Sequence, residues 1–210
     1  MKKFTKDKIK NVMDSKGYAF FEEGRYNLNI IGIRSNNSKS DFFDDEIHVL
    51  YKDQHGKEKH EIFPCTTDPG KHWLLNPLNI RGTIILVPGQ YRGVYKIGLH
   101  NRSRPSRSYT ALEQIKPMDY VRDNSKDAKL DFDLYLDSNN IESSIAKTNI
   151  HRASQWRELL NIGRYSAGCQ VIQSPYDFEK FIDLCESQVE WGFGRTFTYT
   201  LLEEKDFKNE

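Results

Sequence analysis

The sequence predicts a mainly β fold, and three observations carry that expectation. Seven runs of four to seven residues (18–21, 28–33, 46–51, 59–63, 83–87, 91–97 and 196–202) are rich in β-branched and aromatic side chains and are bounded by turn residues. Only two stretches, 5–16 and 176–189, space their apolar residues at helical intervals. Nothing repeats with a period of 20 to 50 residues and no segment is of low complexity, so a β-rich core with one or two packed helices is the expected architecture. With 210 residues, of which 37% are hydrophobic, the chain can bury one substantial core. The expected organisation is a short N-terminal helix over residues 1–17 and a single domain over 18–210.

Taken in order, residues 5–16 set Ile9, Val12 and Met13 on one helical face, and Gly17 ends the helix. Residues 18–21 and 28–33 follow as strands, and the polar stretch 34–41 is a loop opening on Arg34. Arg34 reads either as a solvated arginine at a strand end or as a clamp for a carboxylate. Residues 46–51 and 59–63 flank Asp53-Gln54-His55-Gly56 as a β-hairpin. His48, His55, His60 and His72 fall nearby without the paired spacing that a metal site on one element needs, so no metal is assigned. Residues 66–70 and Asn76-Pro77 are turns. Residues 83–87 and 91–97 read as a second hairpin around Pro88-Gly89, with Tyr91, Gly93, Tyr95 and Ile97 alternating against Arg92, Val94 and Lys96.

Residues 101–108 carry three arginines with no aromatic interleaved, which reads as a mobile, solvated loop near a site rather than a nucleic-acid surface. Asp123-Asn124-Ser125-Lys126-Asp127 alternates side-chain oxygens as calcium loops do. Ala128 and Leu134 stand where such a loop needs Gly and Glu, so a polar turn is expected. Residues 138–148 are a polar connector. Ser174-Pro175 caps a helix over 176–189 that presents Phe178, Phe181, Ile182, Cys185 and Val189 on one face, which makes Cys185 a core residue. The strand 196–202 returns to the sheet, and 205–210 are expected to fray.

Charge and cysteine usage narrow the function classes. Thirty-one basic against 30 acidic side chains leave +1, no general field to gather nucleic acid or an anionic membrane. Cys65, Cys169 and Cys185 are too few and too scattered for a disulfide framework, and no Cys-x-x-Cys pair indicates zinc. The lysine-led N-terminus lacks the apolar core of a signal peptide, and no run of eighteen apolar residues occurs, so export by the standard route and a membrane span are not expected.

Residues 149–172 hold the pattern that carries chemistry. His151 precedes, by fourteen intervening residues read as a loop with a helical turn, the stretch Ser166-Ala167-Gly168-Cys169, and Gln170-Val171-Ile172 then begins a buried strand. A cysteine behind a glycine turn with a histidine in reach is the arrangement of a thiol nucleophile and its base. Taken singly, Cys169 is a small buried hydrophobe and His151 a core histidine.

Together with Leu86-Val87-Pro88-Gly89-Gln90-Tyr91 upstream, this pattern resembles the signature of the L,D-transpeptidase catalytic domain family (YkuD-like): histidine, about fourteen to seventeen residues, then Ser/Thr-His-Gly-Cys. The resemblance covers about residues 80–175. Two positions depart from it: Ala167 replaces the inner histidine and Arg152 follows the outer one. The resemblance implies an L,D-transpeptidase-like β-sandwich that acts on peptidoglycan stem peptides without a cofactor. It would form cross-links or release D-alanine through a Cys169 acyl-enzyme, with His151 as base and the Gly168 and Cys169 N–H groups at the oxyanion.

Tyr91, Arg92, Arg152, Tyr165 and Ser166 are candidates for the substrate groove, each with a structural alternative. The peptidoglycan stem peptide is the implied partner, with no nucleic acid, and the oligomeric state is left open. The implied place of action is the bacterial cell wall, reached through a lysis or phage-type delivery system, and otherwise the cytoplasm. The competing readings are a catalytically degenerate wall-binding module and a structural virion or surface module that uses the Asp123 loop for calcium.

Overall fold

The computed structural model describes residues 4–208. Residues 1–3 of the expected N-terminal helix and residues 209–210 of the expected frayed tail lie outside the described residues. Eight strands close into a barrel: β1 (Asn29–Arg34), β2 (Asp45–Lys52), β3 (Glu58–Thr66), β5 (Gly89–His100), β6 (Tyr109–Gln114), β9 (Ile150–Arg152), β10 (Gln170–Ile172) and β11 (Thr196–Glu203). Their order around it is β1-β11-β5-β6-β9-β10-β3-β2. A separate three-stranded sheet holds β4 (Thr83–Leu86), β7 (Met118–Asp123) and β8 (Glu142–Ser144). The mainly β expectation is borne out, and closure leaves the main sheet without edges.

β1 is buried along all six residues because both faces are covered. Ile30 points into the barrel core, and Ile31 and Ile33 meet helix α1 (Lys6–Ser15). The Thr5 hydroxyl caps α1, which buries Ile9, Val12 and Met13 against Ile31, Ile33, Leu50 and Leu202; each such side chain contributes roughly 1.5–3 kcal/mol. Gly17, at φ +69°, closes the helix as the Tyr18 N–H bonds the Met13 carbonyl. Helix α3 (Pro175–Glu190), capped by the Ser174 hydroxyl, sends Phe178, Phe181, Ile182 and Cys185 into the barrel core as its spacing predicts.

Several expectations are corrected. Residues 18–21 form no strand: side-chain amides hold the extended backbone, Gln90 on Ala19 and Asn29 on Phe21. Residues 83–97 form no hairpin. β4 pairs with β7 and β5 pairs with β11 and β6, so the chain changes sheets at Pro88, which lacks an N–H to donate. A bulge at Gly93 (φ +57°) breaks the alternation, and Val94 and Tyr95 are both buried. No helical turn forms between residues 153 and 168, whereas a short helix, α2 (Lys71–Leu75), appears after the 66–70 turn. The tail from Glu204 to Phe207 makes a turn of 3-10 helix and buries Phe207.

Arg34 is wholly buried, so the solvated reading is wrong, and the carboxylate it clamps is the chain's own. Its Nε lies 2.9 Å from Asp68 Oδ1 and donates to Thr67 Oγ1, and its other nitrogens donate to the carbonyls of Leu86 and Thr67. Asp45 accepts from Ser35 N–H, Thr67 N–H and the Thr67 hydroxyl. Desolvation still pushes Asp45 up to about 8 and Asp68 to about 6. The network ties β1 to the start of β2, the turn after β3 and the end of β4.

In the Asp123 loop, Asp123 Oδ1 accepts from the Ser125 N–H and hydroxyl, and Asp127 Oδ1 from Lys129 N–H and the Ser125 hydroxyl. Those oxygens serve the turn. Among the described residues no group of three or more His, Cys, Asp or Glu is placed to hold a metal ion.

Candidate active site

β9 and β10 run parallel and adjacent, with Gln170 beside Ile150 and Val171 beside His151. Ile150 and Ile172 enter the barrel core, and Gln170 is held there by the Tyr199 hydroxyl at 3.0 Å. Tyr199 reaches that position over Gly32, where a Cβ would overlap its hydroxyl. By strand alternation His151 and Val171 face the other way. Gln170 N–H donates to Asn149 O, so Cys169 lies next to Asn149, two positions from His151. Strand spacing of ~4.8 Å and a rise of ~3.3 Å per residue put their Cα atoms about 8 Å apart.

The turn before Cys169 is closed on itself. The buried Ser166 hydroxyl donates to Cys169 O at 2.8 Å and accepts from Gly168 N–H at 3.2 Å, while Ser166 O accepts from Gly70 N–H. Gly168 has φ +118°, and a Cβ there would lie 2.8 Å from Ile84 Cβ and 2.9 Å from Ile84 O. Only glycine lets the turn lie against β4. Of the two donors expected at an oxyanion, Gly168 N–H is therefore already engaged.

His151 is 2% exposed. Its Nδ1 lies 2.8 Å from Arg152 O, a carbonyl that can only accept, so Nδ1 carries the proton and Nε2 is the bare lone pair. Nε2 is buried and has no hydrogen-bond partner. The His100 ring stacks on the imidazole at 4.0 Å, and the Tyr109 hydroxyl lies 3.4 Å from Nδ1. Desolvation first, then His100 and Arg152, lower His151 to about 3, against the Arg152 carbonyl, which raises it. Desolvation and Arg152 lower His100 as well. Both rings are neutral at pH 7.

Cys169 is half-buried, and its thiol donates to Lys147 O at 3.5 Å. Burial pushes the thiol up to about 11, against a smaller pull from the Asn149 backbone. The resting pair is thus a neutral thiol and a neutral imidazole, not hydrogen-bonded to each other. Each lines its own cleft: Cys169 a cavity of about 420 Å³ with Ile84, Arg122, Lys147 and Ala167, and His151 one of about 670 Å³ beside Tyr109 and Arg152.

The other candidates divide. Arg152 and Tyr165 line the His151 cleft, and the Arg152 guanidinium sits 3.9 Å above the Tyr109 ring. Ser166 belongs to the turn. Tyr91 staples the sheet change, its hydroxyl donating to Val87 O and Asp119 O, and Arg92 lies in another cleft over Phe21. Neither lines either site cavity. His100, Tyr109, Trp73 and Trp156 also line the His151 cleft, and spacing could not flag them because they arrive from different elements. The one local signal is the β5–β6 ladder, which pairs His100 with Tyr109.

Compared with family models, curated proteins and solved structures, the chain matches none.

Proposed function

We propose that the protein is a cysteine acyltransferase of L,D-transpeptidase type that acts on peptidoglycan stem peptides at the bacterial cell wall. One observation carries the reading: an imidazole whose Nδ1–H is fixed on a backbone carbonyl keeps a buried, unpartnered Nε2 two strand positions from a cleft-lining thiol. A buried lone pair without a donor costs stability, and a proton in transit is what would fill it.

In this mechanism the substrate carbonyl enters the Cys169 cleft. The thiol leaves the Lys147 carbonyl and gives its proton to His151 Nε2 as sulfur bonds the carbonyl carbon. The Cys169 N–H faces the oxyanion, a kind of donor worth about 3 kcal/mol in the transition state. Collapse expels the D-alanine amine, which takes the proton back from the imidazolium and leaves a thioester. An amine acceptor then gives a cross-link, or water gives carboxypeptidase action. Moving the proton between separated groups at about 11 and about 3 costs on the order of 10 kcal/mol. Contact between the two ions recovers about 4 kcal/mol at an effective dielectric of ~20. Bringing Sγ against Nε2 is therefore part of the reaction, not of the resting state.

Intact-protein mass after incubation with a disaccharide-tetrapeptide, and separately with a carbapenem, tests the reading. Loss of D-alanine or a covalent adduct is expected in wild type and should vanish in Cys169→Ala. Unchanged peptide and protein in a folded sample would instead favour a module that binds wall peptide without turning it over. The specific observation on that side is the raised thiol held by Lys147 O.

A further inference from the structure

Residues 101–108, read from the sequence as a solvated loop near a site, form one wall of the His151 cleft. Arg104 and Arg107 come from this loop, Arg152 from the end of β9, and Arg164 from the segment before the cysteine turn. No Asp or Glu lines the cleft. Among the described residues none of these four arginines forms an ion pair, whereas Arg34, Arg81, Arg102 and Arg122 each do. In a chain with 31 basic and 30 acidic side chains, four unpaired guanidinium groups around one cavity are a local excess that the composition does not dictate.

The remaining wall is aromatic. Trp73 is fixed by its indole N–H on Arg164 O at 3.0 Å, Trp156 is 83% exposed and Tyr165 44% exposed. The Arg152 guanidinium sits 3.9 Å over the Tyr109 ring, with Nη2 on Gln155 Oε1 at 3.3 Å. A planar guanidinium clamped in this way keeps its fork for bidentate bonds to a carboxylate or phosphate. A volume of about 670 Å³ is that of a small-ligand site.

We propose that this cleft is a binding site for a small ligand carrying two or more oxyanionic groups, carboxylates or phosphates, gripped by Arg104, Arg107, Arg152 and Arg164 and packed against the tryptophan faces. The site does not rest on the catalytic reading, because the arginines recognise charge whether or not Cys169 reacts. A bounded cleft whose four arginines surround one cavity, on a chain of net charge +1, suits a compact anion better than a nucleic-acid strand, which needs a continuous basic track.

Calorimetric titration of the full chain with tricarballylate, tripolyphosphate, the neutral triamide of tricarballylate and a single-stranded 12-mer oligonucleotide tests this. One or both small anions should bind, and the better of the two identifies the carboxylate or the phosphate source. The triamide should not bind. Arg104→Gln/Arg107→Gln, both on an exposed turn, should weaken binding about tenfold or more, and Arg152→Lys, which keeps charge but loses the fork, should also weaken it. Cys169→Ala should bind like wild type, which separates this site from the acyl-transfer reading. Equal binding of the triamide, wild-type affinity in a folded Arg104→Gln/Arg107→Gln variant, no binding by either small anion, or tighter binding of the oligonucleotide would each overturn the proposal.

Discussion

Arg34 and His151 are both polar residues buried on strands of the same barrel, and their surroundings could hardly differ more. Around Arg34 the buried charges are answered: its guanidinium meets Thr67 and the Leu86 carbonyl and lies against Asp68, whose Oδ1 has the cation but no hydrogen bond, and Asp45 takes three donors. Around His151 one nitrogen is fixed and the other is orphaned, beside a neutral imidazole, a thiol bonded elsewhere and four unpaired arginines. A buried network whose charges are paired rigidifies and specifies the fold, whereas an unpaired group beside a cleft is the place to test for a ligand or a proton. The contrast separates groups that hold the barrel together from groups that the barrel holds up.

The sharpest way to break the comparison is Arg34→Met. Removing the cation leaves Asp68 buried without its counter-charge and should cost about 3–5 kcal/mol in urea unfolding. A loss under about 1 kcal/mol would mean that the network is not structural. Gly168→Ala comes next. Its Cβ meets the Ile84 backbone at 2.9 Å from a φ of +118°, so a loss of roughly 3 kcal/mol is expected, which would place the constraint of the Cys169 turn in its backbone.

The two regions also tilt stability oppositely with pH. His151 is held at about 3 against 6.5 in the unfolded chain, so its contribution is full above pH 6.5 and is lost as pH falls towards 3; at pH 5 the loss is about 2 kcal/mol. Asp45 and Asp68 are raised to about 8 and about 6 from 3.8, so their burial costs more as pH rises through that window. Melting curves of wild type and His151→Gln between pH 5 and 7 isolate the first slope. Parallel curves would show that His151 titrates normally.

Smaller effects sharpen the boundary. Tyr91→Phe removes a hydroxyl that donates to two carbonyls at the sheet change and should cost about 1 kcal/mol in unfolding without altering any activity at Cys169. Arg92→Gln, exposed and remote from both site cavities, should stay within ~0.5 kcal/mol and leave anion binding unchanged. A drop in binding there would extend the recognition surface well beyond the His151 cleft.

What local chemistry specifies was legible in the amino-acid order. Runs rich in β-branched and aromatic side chains mark β1, β2, β3 and β11, the helical spacing from residue 5 and the Ser174-Pro175 cap mark the starts of α1 and α3, and Gly168 ahead of Cys169 marks a turn that only glycine fits. These signals depend on neighbours within a few residues, and such neighbours travel with the sequence. Other features depend on partners far along the chain. Pro88 looked like a hairpin tip because sequence proximity suggests pairing, yet β4 finds β7 and β5 finds β11. Arg34 could be read as solvated or as a carboxylate clamp because its counter-charge, Asp68, arrives from beyond β3. The arginine loop looked aromatic-free because Trp73 and Trp156 come to it from opposite directions along the chain. Closing the barrel brings these groups together and sets how deeply each is desolvated, and desolvation is the leading cause of the shifts at His151 and Cys169. The sequence by itself determined which residues could do chemistry, and the tertiary structure decided which of them are neutral, which are paired and which are left facing a cleft.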